Sequence, residues 1–347
     1  MKLTQIYFLL FSILYGFSQS RSEYHIRTVA FYNVENLFDI VNDSLTFDDE
    51  RTPSGNYHWT KERYNKKIHN ISRVLSEIGN TVSRTPPDII GLCEVENRTV
   101  IEDLIYHKNL RNTNYGVIHF DSPDERGIDV ALVYKKTAFI PASFRSHRLL
   151  LFDHDGKRDY TRDQLVVGGY LDSELFYFIV NHWPSRSGGE ARSKPNRIKA
   201  AQLNKRIIDS IQRITRNAKI ISMGDLNDDP RDDALKKYLK TIGHKNQLDS
   251  LSLYNPMEKM YRQGHGSLAY RDTWNLFDQF FFTSNLISIE LKGYSFWKAG
   301  IFNPDYLKIP TGRYRGYPFR TYVGTSYQGG YADHFPVYLY LIKKARP

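Results

Sequence analysis

The chain has 347 residues, of which 41% are apolar and 14% aromatic, which is enough for one large hydrophobic core or two modest ones. Its single cysteine, Cys93, excludes an intramolecular disulfide, and the chain has neither an internal repeat nor a low-complexity linker. The net charge of +10 favours polyanionic partners such as nucleic acid or an anionic lipid surface, although exported proteins without such a partner are often basic too.

The amino terminus has the pattern of a signal peptide. Met1-Lys2 precede a mostly apolar run to Phe17, and small residues follow at Ser18 and Ser20. A run of about 15 apolar residues is too short to span a bilayer. Export without disulfides fits a bacterial periplasmic or secreted protein. We therefore predict a signal peptide over residues 1–20 and a single domain over residues 21–347.

The first half of the chain alternates strands and helices. Apolar runs predict strands at His25–Val34 and Asp88–Glu94. Between them, apolar side chains recur every three or four residues and predict a helix over Thr60–Ile78, which Gly79 ends. A shorter helix is predicted at Val100–Leu110.

The second half is richer in strands. Leu165–Leu171 and Leu175–Asn181 predict a hairpin, after which the basic loop Ser185–Lys194 leads to a helix that opens at Pro195. Trp297–Gly330 has no clear period and is predicted to be a loop. Further strands are predicted at Tyr115–Phe120, Ile128–Tyr134, Ile220–Met223, Asn275–Phe282 and His334–Leu341. The pattern indicates mixed sheets flanked by helices.

Polar side chains recur at the ends of the predicted strands. Asp225 and Asn227 lie two residues apart after a buried strand, so their side chains point the same way. The Asp, Asn, Gly and Pro residues there would by themselves indicate only a turn. Strand ends elsewhere carry the same kinds of side chain, at Asn33, Glu94, His182, Asp333 and His334, and Asp278 interrupts another strand.

These residue types support metal-assisted attack of water on phosphorus. Mg²⁺ prefers carboxylate and water oxygens, and it leaves positions open for a substrate phosphate. Glu94 is the first candidate ligand, and Asp225 is a candidate base or orienter of the water. His334, held by Asp278, and His182 are candidate donors to the phosphate.

Six motifs occur in an order that resembles the endonuclease/exonuclease/phosphatase family. This family includes DNase I, exonuclease III-type AP endonucleases, neutral sphingomyelinases and inositol polyphosphate 5-phosphatases. The resemblance spans roughly Ile26 to Leu341. Its motifs are Asn33-Val34-Glu35-Asn36-Leu37, Ile90-Gly91-Leu92-Cys93-Glu94, Val180-Asn181-His182, Gly224-Asp225-Leu226-Asn227, Asp278, and Ala332-Asp333-His334-Phe335-Pro336-Val337.

The resemblance implies an α+β fold, a four-layer sandwich of two packed mixed β-sheets with helices outside. It also implies Mg²⁺ as cofactor, with Mn²⁺ or Ca²⁺ as alternatives. Arg162 resembles a phosphate-contacting arginine, and we predict that Arg186, in the basic loop, also binds substrate. The implied metal ligands are Glu94, Asn33 and Asp333, the implied catalytic residues are His182, Asp225, Asn227, Asp278 and His334, and Asn33 also lies near the phosphate.

The sequence also departs from the family pattern. Cys93 stands where a glutamine is common, and we expect it to serve packing. The loop after His182 differs from the DNase I form, and the tyrosine of AP endonucleases is absent at that position, which disfavours an abasic-site enzyme. Two groups keep two interpretations each. Arg186, Arg192, Lys194 and Arg197 form either a solvated face or phosphate contacts, and Glu35, Glu96, Asp228 and Asp229 serve either a second metal or local turns and caps.

We therefore predict an exported, Mg²⁺-dependent phosphodiesterase, specifically a nuclease of low sequence specificity with nucleic acid as its substrate. One alternative is a phosphoesterase for a phosphorylated lipid or sugar, such as a sphingomyelinase-like or inositol phosphate enzyme. That alternative calls for an exposed apolar hairpin, for which Phe296–Ile301 is the candidate segment. Another alternative is a non-catalytic nucleic-acid-binding module. No obligate protein partner is inferred.

Overall fold

The computed structural model describes residues 23–288 and 290–345. The predicted signal peptide lies outside these residues, so it stays a prediction, as does the single domain. Among the described residues, no helix combines the length and the apolar character that crossing a bilayer requires.

Strands and helices alternate early in the chain, and strands dominate later. The strands are β1 (Tyr24–Leu37), β2 (Ile89–Val95), β3 (Tyr115–His119), β4 (Asp129–Lys135), β5 (Phe139–His147), β6 (Leu151–Phe152), β7 (Arg158–Asp159), β8 (Gln164–Leu171), β9 (Glu174–His182), β10 (Lys219–Asp225), β11 (Thr241–Ile242), β12 (Leu253–Tyr254), β13 (Leu268–Tyr270), β14 (Thr273–Asn275), β15 (Asp278–Thr283), β16 (Ser295–Ile301), β17 (Tyr322–Val323), β18 (Ser326–Tyr327) and β19 (Val337–Lys344). The α-helices are α1 (Lys61–Glu77), α2 (Asn80–Ser83), α3 (Arg98–Tyr106), α4 (Glu190–Ile214) and α5 (Met257–Arg262), and a π-helix spans Ala234–Tyr238.

Two large mixed sheets form the body of the molecule. The first sheet has the strand order β16-β19-β1-β2-β4-β3, in which β1 and β2 are parallel. The second has the order β11-β12-β15-β10-β9-β8-β5, in which β9 and β10 are parallel. β1 and β10 each lie inside a sheet whose two faces are both covered, which explains why both sequences are apolar runs.

Alternation along the strands divides the core into layers. On β1, Val29 and Phe31 face the second sheet, where Phe178 and Met223 belong to the same buried cluster. On the same strand, Ala30 and Tyr32 face outward into a cluster that includes the buried faces of α1 and α3. Helix α4 covers the outer face of the second sheet. The four-layer α+β sandwich is thus confirmed.

Helix α1 and the central hairpin form as their sequences predict. Thr60 caps α1 by accepting from the Arg63 N–H, and the buried residues of the helix recur at the predicted spacing. Strands β8 and β9 pair antiparallel across Asp172 and Ser173, which have φ of 45° and 71°. These left-handed conformations are those of a two-residue hairpin turn.

Two segments differ from their predictions. Helix α4 begins at Glu190 rather than at Pro195. The prediction missed its first turn because the residues there are polar and show no apolar periodicity. The N–H that Pro195 lacks would have bonded only to Ala191, in that first turn. The start of the predicted loop Trp297–Gly330 belongs to β16, which pairs with β19. Phe296–Ile301 is therefore an edge strand rather than an exposed hairpin, and Phe296 packs against Phe282.

Candidate active site

Strand register brings three predicted residues into one row at the edge of the second sheet. Asp225, the last residue of β10, is paired with His182 on the parallel strand β9. It is also paired with Asp278 on the antiparallel strand β15. All three side chains are buried. The order of strands thus assembles an acid–acid–histidine row from segments that are far apart in the sequence.

Glu94 reaches this row from the first sheet. The register of β2 shifts between Cys93 and Val95, and Glu94 between them has φ of 61°. Such a bulge changes the direction of a side chain. One Glu94 oxygen accepts from the Asn36 N–H at 2.9 Å, and Asn33 Nδ2 lies 3.4 Å from the other. The carboxylate is therefore held but keeps some exposure to solvent.

Asn33 joins the two sheets at the site. Its Nδ2 donates to Asp225 Oδ2 at 3.0 Å as well as to Glu94. Its Oδ1 accepts from the Glu35 N–H at 3.0 Å. The amide nitrogen thus faces the two carboxylates and the amide oxygen is used by the backbone. The role of Asn33 as a metal ligand stays a prediction.

His334 is oriented by Asp278. Its Nδ1 lies 2.6 Å from Asp278 Oδ2, and its Nε2 lies 3.8 Å from Asp225 Oδ2. Burial disfavours the imidazolium, but the carboxylates of Asp278 and Asp225 outweigh burial and raise the pKa of His334 well above its usual value. Burial alone would raise the pKa of the neighbouring Asp333, but the positive charges of His334 and Arg320 outweigh burial and lower this pKa below its usual value.

The pKa of His182 is shifted in the opposite direction from that of His334. Its Nε2 is 3.8 Å from both Glu94 Oε1 and Asp225 Oδ2. Burial, with the nearby charges of Arg162 and Arg126, lowers the pKa of His182 well below its usual value. Asp225 lies between the two histidines, and its burial is the main cause that raises its pKa to about 7. The site therefore combines a charged and a neutral imidazole around one carboxyl group.

The loops after β9 and β10 are tied together at Trp183. Its carbonyl oxygen accepts from Asn227 Nδ2 at 3.0 Å and from an Arg162 guanidinium nitrogen at 2.8 Å. Arg162 is buried and also pairs with Asp124 at 3.0 Å. Its position supports a role in shaping the site, and its predicted contact with phosphate stays a prediction.

The basic loop is less free than its sequence indicates. Arg186 Nε donates to the Asn227 carbonyl, and its NH2 lies 2.8 Å from Asp232. Arg197 is fully buried in an ion pair with Asp228, so it is neither a solvated residue nor a phosphate contact. These partners lie 31 or more residues away in the sequence, which is why composition alone could not reveal them.

A supporting layer that the sequence did not identify lies behind Asp333. Glu35 is buried and accepts from the Thr321 N–H at 2.6 Å. Lys67 on α1 is buried too, and its Nζ donates to Thr321 Oγ1 at 2.6 Å and to the Tyr331 carbonyl. The available signal was a lysine on the apolar face of a predicted helix. Glu35 thus serves a distant backbone segment rather than a local turn.

Two other acids that could serve either a second metal or local turns and caps, Glu96 and Asp229, also accept from backbone N–H groups. Glu96 accepts from the Asp39 N–H at 2.6 Å, and Asp229 accepts from the Leu276 N–H at 2.7 Å. Cys93 is buried between the sheets, as expected for a packing residue.

Comparison with known proteins agrees with this geometry. A family model described as the endonuclease/exonuclease/phosphatase family matches residues 28–343. The chain belongs to this family. Its members are hydrolases that act on phosphoester bonds. A search of curated protein sequences gives no match.

Solved structures of the endonuclease/exonuclease/phosphatase family share the fold at low sequence identity. A family protein from Bacteroides thetaiotaomicron has a TM-score of 0.54 at 16% identity, covering 93% of this chain and 100% of its own. D. rerio TDP2 complexed with a single-strand DNA product has a TM-score of 0.53 at 13% identity, and the match covers 91% of this chain and 98% of the TDP2 chain. A mannosyl-6-phosphatase from Bacteroides thetaiotaomicron VPI-5482 has a TM-score of 0.52 at 15% identity, and the match covers 91% of this chain and 99% of the phosphatase chain.

The donor set fits the divalent metal that family members generally use. Atoms of Asp225, Asp278 and His334 lie within 4.8 Å of one another and could by distance hold an ion. However, the short hydrogen bond between Asp278 and His334 already commits this pair to each other. Glu94 is the carboxylate that is both held and partly open, so it is the better candidate ligand.

Proposed function

We propose that the protein is a divalent-metal-dependent phosphodiesterase that cleaves nucleic acid. The observation that carries the proposal is the row His182, Asp225 and Asp278, completed by Glu94 from the first sheet and by His334, which precedes β19. Two imidazoles and a shared carboxyl group around one point suit a phosphate that must be held while water attacks it.

Each residue then has one task. His334, fixed by Asp278, donates from Nε2 to a phosphate oxygen, and neutral His182 donates from its own Nε2. Asp225, kept in place by Asn33, orients the attacking water and accepts its proton. The bond from phosphorus to the leaving sugar oxygen breaks as the new bond forms, and the leaving oxygen takes a proton from solvent. Asn227 holds the loop beside it through Trp183. The metal, held by Glu94 with Asp333 as a further candidate ligand, would offset charge that develops on the phosphate oxygens.

The surroundings of the site favour a polymeric substrate. A cleft of about 1000 Å³ adjoins the site on the side of Asp333 and Arg320, and a second cleft of about 640 Å³ adjoins it on the side of Arg162 and Pro184. A substrate that continues on both sides of the cleaved bond needs two such clefts, whereas a phosphate monoester needs one. The TDP2 structure with a DNA product lends support to nucleic acid.

The competing substrates are a sugar phosphate or a lipid phosphodiester. The mannosyl-6-phosphatase among the structural neighbours makes the first worth testing. The second loses its main sequence argument because Phe296–Ile301 is a paired strand. A panel of plasmid DNA, single-stranded DNA, RNA, sphingomyelin and mannose 6-phosphate, each with Mg²⁺ and with EDTA, decides among them. We expect Mg²⁺-dependent cleavage of nucleic acid, and cleavage of only the sugar or lipid substrate would contradict the proposal.

A further inference from the structure

The smaller of the two clefts lies between the first half of helix α4 and the hairpin β6–β7. We name it the α4 cleft, and its volume is about 640 Å³. Thr161, Arg162, Pro184 and Ser185 lie where it meets the catalytic site. Arg162 and Asn227 donate to the same Trp183 carbonyl, so one buried carbonyl connects the wall of the cleft to the loop that follows Asp225.

The wall formed by α4 carries unpaired positive charge. Arg192, Asn196 and Lys199 line the cleft and follow one another at spacings of four and three, so they share one face of the helix. Arg192 and Lys199 are exposed, and neither has a carboxylate within 4.0 Å among the residues that the structure describes. Seven residues separate them, which corresponds to about 10.5 Å along the axis.

The acids that line the cleft are already engaged. Asp153 accepts from the N–H groups of Asp155 and Lys157 at 2.9 and 2.8 Å. Asp159 accepts from Asn196 at 3.3 Å. These hydrogen bonds come from uncharged donors, so both carboxylates keep their charge on the β6–β7 side of the cleft. Among the described residues that line it, the cations without an ion pair lie on α4.

The opposite wall is aromatic. Phe152 and Tyr160 line the cleft, and each exposes nearly half of its surface. The Arg158 guanidinium carbon lies 5.6 and 5.4 Å from the two ring centroids, which is the distance of a cation–π contact. Rings of this kind, facing a row of cations, are what proteins use to stack the bases of single-stranded nucleic acid while they bind its phosphates.

We propose that the α4 cleft binds a single-stranded segment of nucleic acid on one side of the cleaved bond, with phosphates on Arg192 and Lys199 and bases on Phe152 and Tyr160. This inference rests on the proposed function. The larger cleft is a weaker candidate for the phosphates, because three of its arginines, Arg186, Arg313 and Arg320, are paired with carboxylates. Among the described residues that line it, only Arg271 is a cation without an ion pair, whereas the α4 cleft has two.

The test separates binding in the cleft from catalysis. Binding of a fluorescent 12-nucleotide strand, as DNA and as RNA, is measured by anisotropy in EDTA over a range of salt concentrations. The cleft variant is Arg192→Glu/Lys199→Glu. The control variant, Arg206→Glu/Arg213→Glu, makes the same charge change at exposed positions of α4 outside the cleft. Hydrolysis of bis(p-nitrophenyl) phosphate with Mg²⁺ is measured in parallel.

We expect the cleft variant to raise Kd for the strand at least tenfold and to lower the slope of log Kd against log salt by about 1.4, for two lost contacts. The control variant should change Kd less than threefold. Phe152→Ala/Tyr160→Ala should raise Kd at least fivefold with little change in that slope. The strand type that the unchanged protein binds with the lower Kd identifies the sugar that it prefers.

Two results would overturn the inference: equal effects of the cleft and control variants, or no measurable binding of either strand by the unchanged protein. Either result leaves the proposed function standing if the unchanged protein still cleaves nucleic acid in the presence of Mg²⁺. Conversely, a protein that binds the strand through the cleft but does not hydrolyse the diester with any divalent metal would refute the proposed function and support the cleft.

Discussion

Asp278 and His334 lie 56 residues apart in the sequence and meet across 2.6 Å at the site. The sequence identified them as a pair because the family motifs fix their order. It could not do the same for Arg186 and Arg197, whose partners depend on where the loop after β10 folds back. Residue roles were thus predictable where a motif carries them, and unpredictable where a charge is neutralised by a distant segment.

The pair makes a prediction at the scale of single residues. His334→Ala and Asp278→Asn should each lower kcat by about 10²-fold or more, and the double variant should be no slower than about tenfold below the worse single one. The reason is that Asp278 acts only through the imidazole that it orients. Single-turnover rates on a small diester measure this, and multiplicative effects would show that the two residues act independently.

Among the secondary-structure elements, periodicity predicted α1 and the β8–β9 hairpin because each buries one regular face. It missed the start of α4 and strand β16. The first turn of α4 buries little, and β16 is an edge strand whose partner, β19, begins where the last motif ends, after the intervening segment 302–336. Tertiary pairing rather than local pattern defines such elements.

Helix α1 also supports the site through Lys67, which leads to a prediction at this scale. Lys67→Met should lower the free energy of unfolding by about 3 kcal/mol, because Glu35 and the Tyr331 carbonyl lose a buried partner. It should also lower kcat, since the segment that carries Asp333 loses its attachment. Urea unfolding and steady-state kinetics check both effects. The matched variant Lys66→Met, at an exposed position, should change neither by much, and equal effects would contradict this role.

The whole molecule is two sheets held together at both ends. At the end opposite the site, Arg27 on β1 contacts Asp172 in the β8–β9 turn at 2.6 Å and Asp88 before β2 at 3.0 Å. Burial alone would raise the pKa of Asp172, but Arg27 and Tyr294 outweigh it and lower the pKa below its usual value. The architecture of layers was predictable from the family resemblance, whereas this connection was not, since its partners share no motif.

The connection predicts an acid-dependent loss of stability. A carboxyl whose pKa is lowered in the folded state stabilises it above its unfolded pKa of about 3.9, and the contribution disappears as pH falls through the folded pKa. Asp172→Asn keeps a residue that tolerates the turn and should cost about 1.5 kcal/mol at pH 7. The difference from the unchanged protein should shrink towards pH 3. Thermal unfolding across this range measures it, and a constant difference would rule out the ionised contact as its source.

The most direct test of the proposed chemistry is hydrolysis of bis(p-nitrophenyl) phosphate at increasing Mg²⁺ by the unchanged protein, Glu94→Gln and Glu102→Gln. Glu94 is the held carboxylate at the site, and Glu102 is a half-exposed glutamate on α3. We predict that EDTA abolishes turnover and that Glu94→Gln lowers kcat/KM at least ~100-fold, about 2.7 kcal/mol, with unchanged circular dichroism. Glu102→Gln should behave as the unchanged protein. Turnover that persists in EDTA, or a Glu94→Gln variant with normal activity at low Mg²⁺, would contradict the account.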